Sequence, residues 1–362
     1  MARQGALAGV LGILGLVLSG CSLHTDNKWW NQTINFGFPT GITPEATAMR
    51  EFWTLTVIAS LIIGVIVWAL MFYPMIFNRK KATDTEFPRQ TQYNVPLELI
   101  YTILPFVIIS VLFYGTVVTL NKVHEIRPED EVGVRVDVTA YQWNWKFGYN
   151  KVDVAGAEIA DGTDQAAKDE AEKAGTRSKE EQEAEGLEGP AAPGPIHGRL
   201  PSDKSYLEYN NMETVGTSEE VPVLVLPTDT RVEFRLNSAD VIHSFWVPEF
   251  VFKLDAMPAP GHNQQQNVFQ VASIDREGAF VGRCAEMCGT YHAMMNFELR
   301  SVSPETFAKY IEFRQANPEA TNAEALSAVD EAPYATSTEP FKTGRADTRA
   351  DGNNTISNNA SN

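Results

Sequence analysis

Charged residues are missing from two long stretches of this 362-residue chain. None lies between Glu51 and Arg79, and none lies between Glu98 and Lys122. A helix needs about 20 residues to cross the hydrocarbon core of a bilayer, where one charge would cost about 2.5–3.5 kcal/mol. Uncharged stretches this long argue against a buried helix pair in a soluble protein. They predict a transmembrane helical hairpin over residues 51–122.

The segment between the two stretches fixes the expected orientation of the hairpin. It contains four basic residues, which are Arg79, Lys80, Lys81 and Arg89. Basic loops stay in the cytoplasm, so both outer ends of the hairpin should lie on the opposite side of the membrane. Everything after Asn121 is therefore predicted to be extracytoplasmic.

Cysteine is also scarce, with three in the whole chain, and the first follows an apolar N-terminal stretch. That stretch, from Gly5 to Leu18, is too short to span a membrane and has small residues just before Cys21. The pattern predicts a bacterial lipoprotein signal peptide over residues 1–20, with Cys21 lipidated, and an extracytoplasmic segment over residues 21–50. An uncleaved anchor is the alternative. Both place the residues after Cys21 outside the cytoplasmic membrane.

Apolar residues alternate with polar ones after the hairpin, starting with Val132, Val134, Val136 and Val138. This period of two is typical of a half-buried strand. Further short strands are predicted at residues 221–226, 231–236, 267–272, 278–283 and 296–302. Many short strands separated by Pro and Gly indicate an antiparallel sandwich or barrel, here over residues 123–317. The predicted fold is thus a membrane-anchored α+β protein.

Aromatic residues are absent between Asp161 and Glu188, where ten acidic residues stand against four basic ones. Such a segment buries little apolar surface, which predicts a solvated helix or a disordered insertion over about residues 151–219. A C-terminal extension covers residues 318–362. It is rich in Ser, Thr, Asn and Asp beyond about Pro333, and this composition predicts disorder there.

Soft metal ligands are concentrated in one short stretch, "CAEMCGTYHAMM" at residues 284–295. Thiolates and thioethers favour copper(I), zinc or iron–sulfur clusters, and imidazole suits copper and zinc. One cysteine, one methionine and two histidines on a sandwich would make a single blue-copper centre. The second cysteine changes this expectation, because Cys284 and Cys288 could each bridge two metal ions. His292 and Met295 follow within reach.

A second histidine is needed to complete such a site. His243 in "SADVIHSFWVPEF" is the best candidate, since it lies at a predicted strand end. Three other interpretations stay open for the cluster: a disulfide between the two cysteines, a structural zinc site, and methionines that only fill the core.

These residues resemble the binuclear copper A motif of subunit II of haem–copper cytochrome c oxidases, in its bacterial lipoprotein form. The resemblance extends over the hairpin, "ELIYTILP" at residues 98–105, "YQWNWKF" at residues 141–147 and a cupredoxin-like domain. It implies two copper ions bound by His243, Cys284, the carbonyl of Glu286, Cys288, His292 and Met295. It also implies a magnesium ion held by the Glu286 side chain at the interface with subunit I, and haems in that partner subunit.

Three residues outside the motif acquire roles from the same resemblance. Trp143 matches the tryptophan that receives electrons from cytochrome c, although ordinary packing is its alternative. Asp240 matches an acidic position that attracts cytochrome c. Glu98 matches a glutamate at the mouth of a proton pathway, although an acid also suits a helix start. Asn144 departs from the family, which often has an aromatic residue there.

The resemblance implies a subunit that accepts electrons from cytochrome c and passes them to haem a, where oxygen is reduced to water and protons are pumped. The expected partners are subunits I and III and cytochrome c, either soluble or within a cytochrome bc complex in a supercomplex, with no nucleic acid. A net charge of −17 suits a basic partner. The expected location is the bacterial cytoplasmic membrane, as a multi-pass protein with its copper domain outside.

Three other protein classes have related features. Subunit II of a quinol oxidase lacks the copper ligands that are present here. A nitrous-oxide reductase needs a second, histidine-rich copper site, and this chain has six histidines. A membrane-tethered copper-delivery protein would need neither Trp143 nor Glu98.

Overall fold

The computed structural model describes residues 28–81, 83, 87, 90–173, 207–217, 219–258 and 266–340. The predicted signal peptide, Cys21, most of the acidic insertion and the last 22 residues of the C-terminal extension lie outside the described residues. The chain forms two compact units. Among the described residues, the first unit comprises 28–40 and 47–123, and the second comprises 41–46 and those from 124 onward.

The first unit contains three helices, α1 (Lys28–Ile34), α2 (Pro44–Phe77) and α3 (Val95–Val123). Helices α2 and α3 are 34 and 29 residues long and are apolar enough to cross a membrane. Most of their large apolar side chains are exposed, which no soluble core explains. The predicted pair of apolar helices is confirmed. Both begin earlier than predicted, because Pro44 and Val95 precede Glu51 and Glu98.

The N-terminal segment packs against α2 near the start of its uncharged stretch. The indole Nε1 of Trp53 donates to the carbonyl of Asn35 at 3.1 Å, and the ring of Phe38 stacks on Trp53 at 4.9 Å. Trp29 in α1 stays largely exposed. Tryptophan is enriched at membrane–water interfaces, so this arrangement suits a residue near such an interface.

The second unit is a sandwich of two sheets with eleven strands among the described residues. In chain order the strands are β1 (Val134–Tyr141), β2 (Asn144–Val154), β3 (Ala157–Ile159), β4 (Glu213–Val215), β5 (Val223–Pro227), β6 (Val232–Ser238), β7 (His243–Val247), β8 (Phe252–Ala256), β9 (Val268–Val271), β10 (Gly278–Cys284) and β11 (Asn296–Val302). One sheet has the order β3-β2-β1-β6-β9, with β4 also paired to β2. The other has the order β5-β11-β10-β7-β8.

The predicted sandwich is confirmed, but its strands are not all antiparallel. Strand β1 pairs with β6 in parallel, and β11 pairs with β5 in parallel. The remaining ladders are antiparallel. Local alternation shows that a segment is a strand but says nothing about the direction of its neighbour, so the sequence could not reveal the mixed pairing.

Aromatic side chains fill the space between the two sheets. Trp145, Phe234, Phe245 and Phe297 are at most 1% exposed, and their rings form edge, tilted and stacked contacts at 4.8–5.9 Å. Each buried side chain of this size stabilises the fold by roughly 1.5–3 kcal/mol. Because β7 and β11 both contribute rings to this core, the residues at their ends have a rigid base.

The acidic insertion is narrower than the predicted range of 151–219. Strands β2, β3 and β4 occupy residues 151–154, 157–159 and 213–215, so the insertion lies between β3 and β4. It includes α4 (Gln165–Lys173). Its two ends meet on one buried carboxylate, since Oδ2 of Asp137 accepts hydrogen bonds from Thr163 at 2.8 Å and Asn210 at 3.0 Å. The structure thus fixes the ends of this segment on the sandwich.

Residues 334–337 of the C-terminal extension make defined contacts with the sandwich, although composition predicts disorder beyond about Pro333. Helices α5 (Pro304–Ala316) and α6 (Asn322–Ala328) follow β11. The fully buried carboxylate of Glu298 then accepts from the backbone N–H groups of Thr336 and Ser337 at 2.6 and 2.7 Å. Its other oxygen binds Arg300, which donates to the carbonyl of Tyr334 at 3.2 Å. Composition alone could not predict these contacts, because the hydrogen-bond partners of the segment are two residues of β11, Glu298 and Arg300.

Replacing Glu298 tests how much this clamp stabilises the second unit. Glu298→Ala leaves Arg300 buried without its closest partner, and breaking a buried ion pair costs about 3–5 kcal/mol. We expect scanning calorimetry to give an apparent melting temperature lower by roughly 6–20 °C. Lys253→Ala is the matched control, because Lys253 and Asp255 form an exposed pair that contributes about 0–1 kcal/mol. Equal melting temperatures in the two variants would contradict the role of the clamp.

Candidate metal centre

The candidate ligands come from the ends of two neighbouring strands and from the loop between β10 and β11. His243 is the first residue of β7, and Cys284 is the last residue of β10. These strands pair antiparallel with Cys284 opposite Phe245, and the backbone N–H of Ala285 donates to the carbonyl of Ser244 at 3.0 Å. This register brings His243 beside the cysteine loop although 41 residues separate it from Cys284.

The donor atoms of the predicted ligands converge. The sulfurs of Cys284 and Cys288 lie 3.9 Å apart. Nδ1 of His243 is 3.8 Å from the Cys284 sulfur, and Nδ1 of His292 is 3.6 Å from the Cys288 sulfur. The thioether sulfur of Met295 is 4.0 Å from Cys288 Sγ. Each cysteine thus has one histidine, and the structure brings together every side chain that the motif predicted as a ligand.

Two alternatives from the sequence do not fit this geometry. A disulfide needs its sulfurs about 2.05 Å apart, and both described cysteines are free thiols at nearly twice that distance. The core-filling alternative does not explain the position of Met295, whose sulfur lies 4.0 Å from a thiol. That residue is 1% exposed among the donors, whereas Met287 in the same loop is 73% exposed. A structural zinc site rarely recruits methionine. The donor set therefore fits a soft metal, with two thiols placed to share it.

Burial makes a charge in this centre costly in free energy. His243, Cys284, Cys288 and Met295 are all buried, and His292 is partly exposed. The hydrogen bond between the thiols lowers the pKa of Cys284, and the same contact raises the pKa of Cys288. Burial lowers the pKa of His243, but the hydrogen bonds and charges of Asp240 and Cys284 together outweigh burial and raise this pKa overall. One thiol thus ionises readily, while a bound cation would favour ionisation of the second.

The carbonyl of Glu286 also faces the centre, 3.2 Å from the Cys284 sulfur. This position agrees with the predicted role of its backbone oxygen. The Glu286 side chain is partly exposed. It is not part of the cluster of potential metal ligands found among the described residues, which contains His243, Cys284 and Cys288. A magnesium site at Glu286 stays a prediction.

Trp143 lies in the turn between β1 and β2, although the alternation of aromatic and polar residues over 141–145 predicts an extended strand with its aromatic side chains on one face. Tyr141 pairs with Asn144 across this turn. Tyr141 is buried in a small second cluster, while Trp145 enters the main core. The alternation of aromatic and polar residues gave no sign of this hairpin, because a two-residue turn does not interrupt the alternation.

The turn is fixed directly onto the cysteine loop. Nε2 of Gln142 and Nε1 of Trp143 donate to the carbonyl of Cys288 at 2.7 and 3.1 Å. The Trp143 ring also meets the ring of Tyr291 edge-on at 5.0 Å. Below the centre, Nε1 of Trp145 donates to the carbonyl of Met295 at 3.3 Å. Trp143 is thus partly exposed and hydrogen-bonded to a candidate ligand residue.

Asp240 is not where a docking residue would lie. It is 4% exposed, and its oxygens accept from the backbone of Gln142 and Val241 and contact the His243 ring. A buried carboxylate with inward partners offers no direct contact to cytochrome c. Direct contact through Asp240 is therefore not supported, and its attraction of cytochrome c stays a prediction.

Glu98 lies in the first turn of α3, as the helix-start interpretation requires. Its Oε1 accepts from the backbone N–H of Asn94 at 2.9 Å, and Oδ1 of Asn94 accepts from the N–H of Leu97 at 3.3 Å. This reciprocal arrangement caps the helix. A role in proton uptake stays a prediction.

Gln142, Gly289 and Trp145 are parts of the centre that the sequence did not single out. Gly289 has φ +115°, and a Cβ there would lie 3.2 Å from the Trp143 ring and 3.3 Å from Gln142. Glycine is favoured at such positive φ values. In the sequence, the only sign of this close packing was the glycine between the second cysteine and His292.

Comparisons with known proteins agree with this geometry. The family models "Cytochrome C oxidase subunit II, transmembrane domain" and "Cytochrome C oxidase subunit II, periplasmic domain" match residues 28–115 and 202–302. The second match includes all the candidate ligands.

Curated relatives match nearly the whole chain. The probable cytochrome c oxidase subunit 2 of Nocardia farcinica is 56% identical over 345 residues, which cover 95% of this chain and 89% of the relative. Cytochrome c oxidase subunit 2 of Corynebacterium diphtheriae is 53% identical, with 95% and 94% covered. That of Mycobacterium tuberculosis is 50% identical, with 95% and 90% covered.

Among solved structures, the periplasmic domain of subunit II of the Bradyrhizobium japonicum cytochrome oxidase is similar at 22% identity. It covers 53% of this chain and 98% of its own, with a TM-score of 0.30.

A methyl group at Gly289 tests whether the turn and the cysteine loop support each other. Gly289→Ala adds backbone strain of about 1–3 kcal/mol and pushes against Trp143 and Gln142. We expect this variant to lose bound metal faster than wild type to a chelator. Gly156→Ala is the matched control, since Gly156 has φ +95° with nothing within 4 Å of the added Cβ. Equal metal retention in both variants would show that the contact with the turn is unimportant.

Proposed function

The chain belongs to the cytochrome c oxidase subunit II family, and from this premise we propose that it is the subunit through which electrons reach the oxidase. Its donor would be cytochrome c, its cofactor a pair of copper ions, and its acceptor haem a in subunit I. Oxygen reduction to water and proton pumping would follow there. As a member of this family, the chain is one subunit of an oxidoreductase complex and works with the other oxidase subunits.

The convergence of the donor atoms carries the proposal. Cys284 and Cys288 would bridge the two ions, while His243 and His292 would each bind one of them, as the pairing of each Nδ1 with a different sulfur supports. Met295 and the Glu286 carbonyl would complete the ligand set. When bound, the copper pair would supply reversible storage of one electron.

The protein's part is to hold the ligands still and to exclude water. The backbone N–H of Cys284 donates to the carbonyl of Met295 at 3.1 Å, which closes the ligand loop. The Trp145 and Phe297 rings pack beneath it in the core. A rigid frame of this kind keeps reorganisation small, because ligands locked by packing and hydrogen bonds cannot relax around a changed charge.

Trp143 is the proposed point at which electrons reach the centre. Its ring is partly exposed, and its Nε1–H bonds the carbonyl of Cys288. One hydrogen bond therefore joins the indole to a ligand residue. Asn144 supports this turn instead of extending an aromatic path, because its side chain is buried and donates to the carbonyl of Thr217 at 2.6 Å.

The remaining parts of the proposal concern the membrane and the partners. Helices α2 and α3 would both span the cytoplasmic membrane, with the sandwich outside and Cys21 lipidated. Glu98 would lie near a proton pathway, and the Glu286 side chain would help hold magnesium beside subunit I. The net charge of −17 would favour approach of a basic cytochrome c, whether soluble or bound in a supercomplex.

Loss of one bridging thiol tests the copper assignment. In Cys284→Ser or Cys288→Ser a hydroxyl that stays protonated replaces a thiolate, so we expect the mixed-valence chromophore to vanish and copper to fall below about two ions per chain. Metal analysis and visible absorption of the purified oxidase measure both. Met287→Leu is the control, because Met287 is a soft donor in the same loop that is 73% exposed. Survival of the chromophore in either serine variant would refute the ligand set.

Replacement of Trp143 tests the proposed electron path. Trp143→Phe removes the indole N–H that bonds the Cys288 carbonyl. We expect oxidation of reduced cytochrome c to slow several-fold while the copper absorption stays unchanged, and stopped-flow kinetics measure this rate. Trp53→Phe serves as the control, because Trp53 lies in the helical unit. An unchanged rate in Trp143→Phe would remove this residue from the path.

A further inference from the structure

We propose that Asp240 is a positioning residue, whose single carboxylate fixes both the His243 ring and the turn that carries Trp143. The inference rests on the proposed function, since it assigns a residue that holds the metal ligands of that same site. It is an alternative to the attraction of cytochrome c that the resemblance implies for Asp240.

The first arm of Asp240 reaches His243. Oδ1 lies 2.8 Å from Nε2 of the imidazole and also accepts the backbone N–H of Val241 at 2.7 Å. A carboxylate oxygen accepts, so the hydrogen of the ring belongs on Nε2. The lone pair of Nδ1 is then left for a metal, and Nδ1 is the nitrogen that faces the Cys284 sulfur at 3.8 Å.

The second arm of Asp240 reaches the turn between β1 and β2. Oδ2 accepts the backbone N–H of Gln142 at 2.7 Å. The side chains of Gln142 and Trp143 then bind the carbonyl of Cys288. Asp240 therefore joins the ligand beside Cys284 to the turn that reaches Cys288.

These contacts form a closed path around the centre. It passes from the sulfur of Cys284 to His243, to Asp240, to Gln142, to Cys288 and back to Cys284. Displacement of the carboxylate would disturb the ring and the turn together. A residue that acted only in docking would leave both in place.

Asparagine and alanine at this position separate the two arms. In Asp240→Asn the amide has one accepting oxygen, so either the histidine side or the Gln142 N–H must face the donating NH₂. Asp240→Ala removes both arms. Asp153→Asn is the matched control, since Asp153 is exposed on β2 and loses the same charge.

The experiment compares these variants within the purified oxidase complex. Copper loss to bathocuproine disulfonate after reduction, the copper EPR spectrum, the apparent melting temperature and the salt dependence of cytochrome c oxidation are measured. We expect about 10–100-fold faster copper loss in Asp240→Ala, which is the usual effect of losing an outer partner of a ligand. Asp240→Asn should lie between alanine and wild type. Both should show an altered EPR spectrum, and their salt dependence should match that of Asp153→Asn.

Three results would overturn the inference. Wild-type copper retention and EPR in both Asp240 variants, with a higher KM and a weaker salt dependence than in Asp153→Asn, would restore the docking role. A lower melting temperature with unchanged retention and EPR would leave Asp240 a purely structural role. Variants identical to wild type in every measurement would exclude any role. Failure of the proposed function is distinct, because wild-type oxidase would then hold no copper in this subunit.

Discussion

The pairing of β7 with β10 is the constraint on which the metal centre depends. Its register places the first residue of β7, His243, beside the last residue of β10, Cys284. Both strands rest on the same aromatic core, so neither can slide without breaking close packing. A one-residue slip would turn the imidazole to the opposite face of the sheet. The loop that ends at Met295 can contribute its ligands to the site only because this register holds.

Electrostatics explain why so many hydrogen bonds hold the metal centre. Two thiols, an imidazole and a carboxylate are buried within hydrogen-bonding or near-contact distance of one another. Such groups are costly to bury unless each finds a partner or a cation. The surrounding donors therefore serve two purposes, because the side chains of Gln142, Trp143 and Trp145 satisfy carbonyls of the loop and also restrict its motion.

Much of the architecture could be predicted, and each miss has a physical reason. The strands starting at Val223, Val232 and Val268 were predicted within two residues at either end, because alternation is a local property. Strand β7 was not among the predicted strand ranges, although His243 was expected at a strand end, because "HSFWV" has two polar residues followed by three apolar ones and no alternation. The order around Tyr334 was missed because Glu298 and Arg300 impose it from a distant strand.

By itself, the sequence determined the two apolar spans, the strand-rich domain and the inventory of soft donors around Cys284, since length, charge and period are all written locally. Only the tertiary structure decided that His243 meets this loop, that Trp143 stands in a turn and that Asp240 faces inward. These three outcomes depend on contacts between residues far apart in the chain. Such contacts follow from strand register and from competition for buried space, which no short segment encodes.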